Sequence, residues 1–218
     1  MKNKTRVFGR IEAVFDILYL VIAAFIGIYL ISSSVTPLRT LAGVMALILA
    51  AGDSFHLIPR IAVIFTGQEK RFAKVMGIGK LITSITMTLF YLLLWQIGLF
   101  LFLPDKGISF SIFIYILAVL RILLCLLPQN RWTDRYPPVR FGIYRNIPFF
   151  ILGIATSALY AFHIGAIPAV NGMWLAILLS FAFYLPVVLW SNKNPKLGML
   201  MLPKTCCYLW ILIMALSF

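Results

Sequence analysis

Residues 40–66 read TLAGVMALILAAGDSFHLIPRIAVIFT. The run is longer than the roughly 20 apolar residues with which a helix crosses a bilayer. Yet it carries Asp53, His56 and Arg60. Steps of three and four residues put all three on one helical stripe. Ionisable groups at membrane depth are costly, face the bundle interior and mark function. The stretch therefore predicts a membrane-spanning helix with one polar face turned inward.

Comparable apolar runs fall at about 11–31, 79–103, 108–127, 143–166, 172–190 and 198–217. With 40–66 they predict an all-α, polytopic bundle of seven transmembrane helices in a single domain. The separators hold expected breakers: Ser32–Ser33–Ser34 with Pro37, Thr66–Gly67–Gln68, Pro104–Gly107, Pro137–Pro138, Pro168 with Asn171–Gly172, and Asn194–Pro195. Composition agrees. The 218 residues are 62% hydrophobic and 11% charged, with mean hydropathy +1.01. Soluble domains are about 45–50% apolar and about 25% charged. A soluble enzyme, a disulfide scaffold and a disordered chain are excluded, and any chemistry must use intramembrane side chains or short loops. Cys125, Cys206 and Cys207 all sit in apolar runs and read as small core residues.

There are 19 Lys and Arg against 6 Asp and Glu, a net charge of +13. In a soluble chain this would point to nucleic acid. Here cations beside spans set topology instead, and no nucleic-acid partner is expected. The N-terminus (Lys2, Lys4, Arg6, Arg10), the second connection (Lys70, Arg71, Lys74, Lys80), the fourth (Arg131, Arg135, Arg140, Arg145) and the sixth (Lys193, Lys196) face one side. Only Arg39 and Lys106 face the other. The positive-inside rule then predicts a cell-membrane protein with its N-terminus cytoplasmic and its C-terminus outside. A signal peptide is the rival reading of the first 31 residues, but Glu12 and Asp16 interrupt its apolar core.

Depth follows from topology. Glu12, Asp16, Asp53, His56, Arg60, Lys80, Arg121, Arg145 and Lys204, with Tyr208 one turn beyond, all map to the cytoplasmic half or the midplane. The outer half offers little beyond Gln96, Tyr115 and His163. This predicts a polar cavity opening to the inner leaflet, with cations in excess and an anionic head group such as phosphate as its guest. The plainer alternatives are that Asp53 pairs with Arg60 or Arg121 to hold helices together, and that Glu12 and Lys80 snorkel to water. Trp95, Trp132, Trp174, Trp190 and Trp210 read mostly as interfacial or lipid-facing. Gly77-Ile78-Gly79-Lys80 falls short of a phosphate-binding loop, because Leu81 replaces the Ser or Thr. Two histidines on different helices make a poor metal site, and no cofactor is implied.

The segment Gly52-Asp53-Ser54-Phe55-His56-Leu57-Ile58-Pro59-Arg60 resembles the Gly-Asp…Leu-Pro signature of the lysoplasmalogenase-like YhhN family of membrane proteins. The glycine-containing entry at Gly77 and Gly79 and the run Thr88-Leu89-Phe90-Tyr91 are similar too. The resemblance covers about residues 40–95, with a vaguer match over 175–218. Family members are eight-helix proteins that hydrolyse the vinyl ether of lysoplasmalogens. That chemistry needs an acid to protonate the alkene carbon and a base to activate water. The resemblance implies that Asp53 is the family's first acidic position. The second stands here as apolar sequence around Ser180–Phe181, and no carboxylate follows Asp134. This chain also has one helix fewer, so Asp16, Glu12 or His56 must partner Asp53.

The expected function is accordingly a lipid-handling membrane protein acting on a lysophospholipid. Asp53, Asp16 and His56 are its candidate catalytic residues. Arg60, Arg121, Arg145, Lys80 and Tyr208 are its candidate substrate-binding residues. Two readings from other classes stay open: a small proton-coupled transporter, and a non-catalytic sensor or assembly protein.

Overall fold

Local chemistry sets several helix ends in the computed structural model, which describes residues 2–103, 108–134, 137–191 and 193–218. The separator at 104–107 with Lys106, and also Arg135 and Asn192, lie outside the described residues. Seven α-helices are seen: α1 (Lys2–Ser32), α2 (Pro37–Thr66), α3 (Glu69–Phe102), α4 (Ile108–Leu126), α5 (Val139–Ala161), α6 (Met173–Trp190) and α7 (Met201–Ala215). Short 3-10 turns at Pro128–Asn130, Pro168–Val170 and Pro195–Leu200 lie between the last four. At the start of α2 the Thr36 side chain accepts from the Arg39 N–H, and Pro37 fills the first turn. At its end Gly67 adopts a left-handed φ of 70° and donates its N–H to the Val63 carbonyl.

Among the described residues six helices are long and apolar enough to cross a membrane. The described apolar part of α4, Ser111–Leu126, is shorter. The outward faces of α1 and α4 are unbroken hydrocarbon: Val21, Phe25 and Ile28 on the first, Ile112, Ile116 and Leu123 on the second, are all exposed. Soluble monomers rarely expose such continuous apolar surfaces.

Some boundaries differ from the hydropathy reading. The third helix begins at Glu69 rather than 79. Charge marks where lipid ends, not where a helix does, so Lys70, Arg71 and Lys74 lie on α3 and the connection shrinks to Gly67 and Gln68. The first helix likewise starts well before residue 11. The fifth starts at Val139, directly after Pro138, and stops at Ala161, short of Gly165, whose φ is +89°. The seventh opens as a 3-10 turn and becomes α-helical only at Met201.

Each helix packs on its successor, and α7 closes the ring against α1 and α2. The centre is aromatic. Tyr91 lies edge-on to Phe90 and Phe149 and tilted on Phe181, with ring centroids 5.1–5.4 Å away. At the end opposite the N-terminus, Arg39 donates to the Phe218 backbone oxygen at 2.7 Å and to Ser33 Oγ, tying the α1–α2 turn to the last residue.

The tightest seam is α2 on α3. A Cβ on Gly79 would stand 2.2 Å from the Phe55 carbonyl oxygen. Pro59 follows Phe55 by four residues and has no N–H to offer that carbonyl. The freed oxygen therefore faces Gly79, an α3 position without a side chain. In an open helix Gly→Ala gains up to about 1 kcal/mol. At this seam we expect the opposite sign: Gly79→Ala lowers the midpoint of thermal unfolding, at an overpacking cost of about 1–3 kcal/mol. Gly142→Ala on α5, where a Cβ would meet nothing closer than 3.8 Å, raises it. Circular dichroism melts in one detergent decide the comparison.

Candidate functional site

Because the helices alternate in direction, the N-terminal parts of α1, α3, α5 and α7 lie at the same end as the C-terminal parts of α2, α4 and α6. A cavity of about 410 Å³ opens among them at the N-terminal end of α1. Asp16, Asp53, His56, Arg60, Lys80, Arg121, Arg145 and Lys204 all line it, with Glu12 at its edge. Leu57, Met87 and Phe149 supply apolar wall. Trp132, Pro137 and Pro138, from the α4–α5 connection, and Met199 border it as well. Tyr208 does not line the cavity. It is buried behind it, its ring 5.6 Å from that of Phe90 and 4.9 Å from the Lys204 ammonium. Tyr208, expected among the substrate-binding residues, thus stands behind the cavity wall: i, i+4 spacing put it on the Lys204 face, but that face continues into the core.

The carboxylates come from α1 and α2. Asp53 is buried, and its Oδ2 accepts a 2.6 Å hydrogen bond from the Tyr19 hydroxyl. It does not pair with Arg60 or Arg121. Arg60 forms an ion pair with Glu12 at the cavity edge, and Arg121 stacks on Phe149. Asp16 is also buried, one turn from Tyr19, and its Oδ2 has no hydrogen-bond partner among the described residues.

His56 is oriented by α3. Its Nδ1 is 2.9 Å from Thr83 Oγ1, and that oxygen is 2.8 Å from the Gly52 carbonyl. A carbonyl can only accept, so the single Thr83 proton goes to Gly52. Thr83 then accepts from His56, which puts the ring proton on Nδ1. For a neutral ring, the opposite tautomer would set two lone pairs against each other. Nε2 keeps its lone pair as a proton acceptor. The contact needs α3 close to α2, which the seam at Gly52 and Gly79 provides.

The cations are held from α4, α5 and α7. Arg121 is buried, its guanidinium 3.1 Å from the Phe149 ring centroid, and neither Nε nor Nη1 has a hydrogen-bond partner among the described residues. Asn130 is fully buried and donates to the Leu124, Cys125 and Leu127 carbonyls at the end of α4. Its remaining oxygen accepts from Arg145 Nη1 at 2.7 Å. The Arg145 guanidinium also lies 4.1 Å from the Trp132 ring, while Trp132 Nε1 donates to the Cys125 carbonyl. One set of residues thus caps a helix and aims a cation. The Lys204 ammonium sits between the Tyr184 and Tyr208 rings, 4.9 Å from each.

Several participants escaped the sequence reading. Tyr19 and Tyr184 are hydroxyls in apolar runs, whose only signal is i+3 from Asp16 and i+4 from Ser180. Trp132 was expected at a lipid boundary but carries the Arg145 contact, and Trp95 is buried and donates to Ser111. Of the cysteines, Cys206 is exposed rather than core. Ser180, in the region where the resemblance places a second acid, is hydrogen-bonded to Tyr91 in the core. Far from the cavity, Gln96 donates to the Tyr115 hydroxyl. Among the described residues no three His, Cys, Asp or Glu side chains gather to hold a metal ion.

Comparison with known proteins yields no match to a family model, to a curated protein or to a solved structure. The reading of the site rests on its own geometry.

The Thr83 contact is testable. In nitrogen-15 histidine spectra of a His163→Gln background, His56 should show an unprotonated Nε2 and a protonated Nδ1 at neutral pH. Thr83→Ser should preserve that signature. Thr83→Val, which removes the acceptor, should lose it.

Proposed function

We propose that the protein is an integral membrane enzyme handling lysophospholipids, hydrolysing an enol-ether bond beside the head group. One observation carries this reading. A single cavity at one end of an apolar bundle gathers two buried carboxyl groups, a histidine with a free lone pair, a cationic rim and an apolar wall. The Asp16–Asp53 pair supplies a proton to the alkene carbon, giving an oxocarbenium ion at the carbon bonded to oxygen. His56 Nε2 takes a proton from the attacking water. The hemiacetal so formed collapses to an aldehyde and the freed glycerol hydroxyl. In this proposal the acid missing from the late helix of the lysoplasmalogenase-like pattern is supplied by Asp16 of α1. The positive-inside reading belongs to the same proposal: the cavity opens to the cytoplasmic leaflet, with the N-terminus cytoplasmic and the C-terminus outside.

Two experiments test it. Asp53→Asn keeps an oxygen for the Tyr19 hydroxyl but cannot carry the proton, so the variant should fold and lose aldehyde release by a factor of about 100 or more. Detergent-solubilised wild type should retain that release. Movement of lysolipid only across a sealed bilayer, without product, would establish a proton-coupled carrier instead. Separately, a cysteine at Gln68 or Thr133 in a cysteine-free background should resist an impermeant thiol reagent on intact cells. Labelling there would reverse the orientation.

A further inference from the structure

We infer that the cavity selects a phosphomonoester dianion over a zwitterionic phosphodiester head group. The inference rests on the lysolipid reading for the source of the phosphate, and on charge for its class.

Five cations line the cavity, Arg60, Lys80, Arg121, Arg145 and Lys204, against three carboxylates, Glu12, Asp16 and Asp53. Counting His56 as neutral, two positive charges remain in excess, and a protonated ring would add a third. The enol-ether chemistry needs one carboxyl protonated, which only enlarges that excess. The uncompensated charge is also localised. Arg60 has Glu12. Arg121 is 2% exposed and lies against the Phe149 ring face, with Nε and Nη1 unpartnered among the described residues. Arg145 is held by neutral groups, the Asn130 oxygen and the Trp132 ring. Lys204 has ring faces on two sides. No ion pair to any of these three exists among the described residues, since the single one there joins Arg60 and Glu12.

A buried cation without a counter-ion is costly. Two buried cations, Arg121 and Lys204, with the half-buried Arg145 beside them around one space, are stable when an anion occupies it. Neutral supports such as Asn130 and Trp132 fix the guanidinium of Arg145 without consuming its charge, as an anion site requires. A phosphomonoester brings two negative charges and balances the cavity. A phosphocholine or phosphoethanolamine group is neutral overall. It leaves the excess in place and adds a cation beside Arg121.

The test is binding to protein in nanodiscs of neutral lipid. The probes are the 1-alkenyl (enol-ether) forms of glycerol phosphate and of glycerophosphocholine, together with monooleoylglycerol and inorganic phosphate. The monoester should bind about tenfold or more tightly than the phosphocholine lipid, the scale of one charge-assisted hydrogen bond. In Arg121→Gln that ratio should fall to about twofold. Arg145→Gln, whose position is half-buried, gives the same reading should Arg121→Gln not fold. Equal binding of monoester and phosphocholine lipids by the wild type overturns the proposal, and so does equal binding of monooleoylglycerol. Inorganic phosphate binding as tightly as the monoester lipid supports the anion site and assigns it to free phosphate, removing the lipid source. Preference for the monoester without aldehyde release also supports the anion site while the hydrolase reading fails. Turnover of the phosphocholine lipid with no preference leaves the hydrolase and overturns the anion site.

Discussion

The polar site depends on how closely α2 and α3 approach. Gly52 and Gly79 bring the two backbones into contact: a Cβ on Gly52 would collide with Thr86, and one on Gly79 with the Phe55 carbonyl. Lipid offers no hydrophobic drive to press helices together, so close packing of small residues and interhelical hydrogen bonds must do it. Pro59 adds to the effect by freeing the Phe55 carbonyl opposite Gly79. At this separation, and not a wider one, Thr83 reaches both the Gly52 carbonyl and the His56 ring. Gly79, within the Gly77–Lys80 run that falls short of a phosphate-binding loop, therefore acts as a packing position inside a continuous helix. The consequence of the seam for chemistry is indirect: it sets which nitrogen of His56 holds a proton.

Around that seam the bundle handles buried polarity in two ways. Asp53 is satisfied by a tyrosine from the neighbouring helix, and Glu12 by Arg60. Arg121, Arg145 and Lys204 are supported by rings and an amide, which orient charge but do not cancel it. Asn130 illustrates the economy of the arrangement. The end of α4 leaves carbonyls that a membrane cannot hydrate, and the two N–H groups of Asn130 are shared among those of Leu124, Cys125 and the following Leu127 while its oxygen positions Arg145. Helix termination and site assembly are the same event there. A cavity built this way is polarised before any ligand enters.

Much of this was legible in the residues. The i, i+3, i+7 spacing of Asp53, His56 and Arg60 placed a polar stripe on an apolar span. Alternating direction, read from cation counts, put Asp16, Lys80, Arg121, Arg145 and Lys204 at one depth. Depth is a one-dimensional property, and hydropathy measures it well because transfer from water to hydrocarbon depends on each residue's own chemistry. The same logic explains the error at the start of α3: hydropathy reports the edge of the apolar layer, and a charged helix can run past that edge unbroken.

Rotation about each helix axis is a different matter, and only the tertiary structure decided it. Tyr208 shares a face with Lys204 yet points into the aromatic core, whereas Tyr184 and Trp132, which spacing and hydropathy did not assign to the site, reach the cavity. Asp53 met Tyr19 and not an arginine for the same reason. Which groups meet across helices depends on interhelical distance and phase, and these follow from packing at positions such as Gly52 and Gly79 that are themselves uncharged and silent. The sequence alone determined that this is an all-helical, membrane-suited bundle with its ionisable groups gathered at one end. That those groups enclose one space, with cations left unpaired, was determined by how the helices turn toward each other.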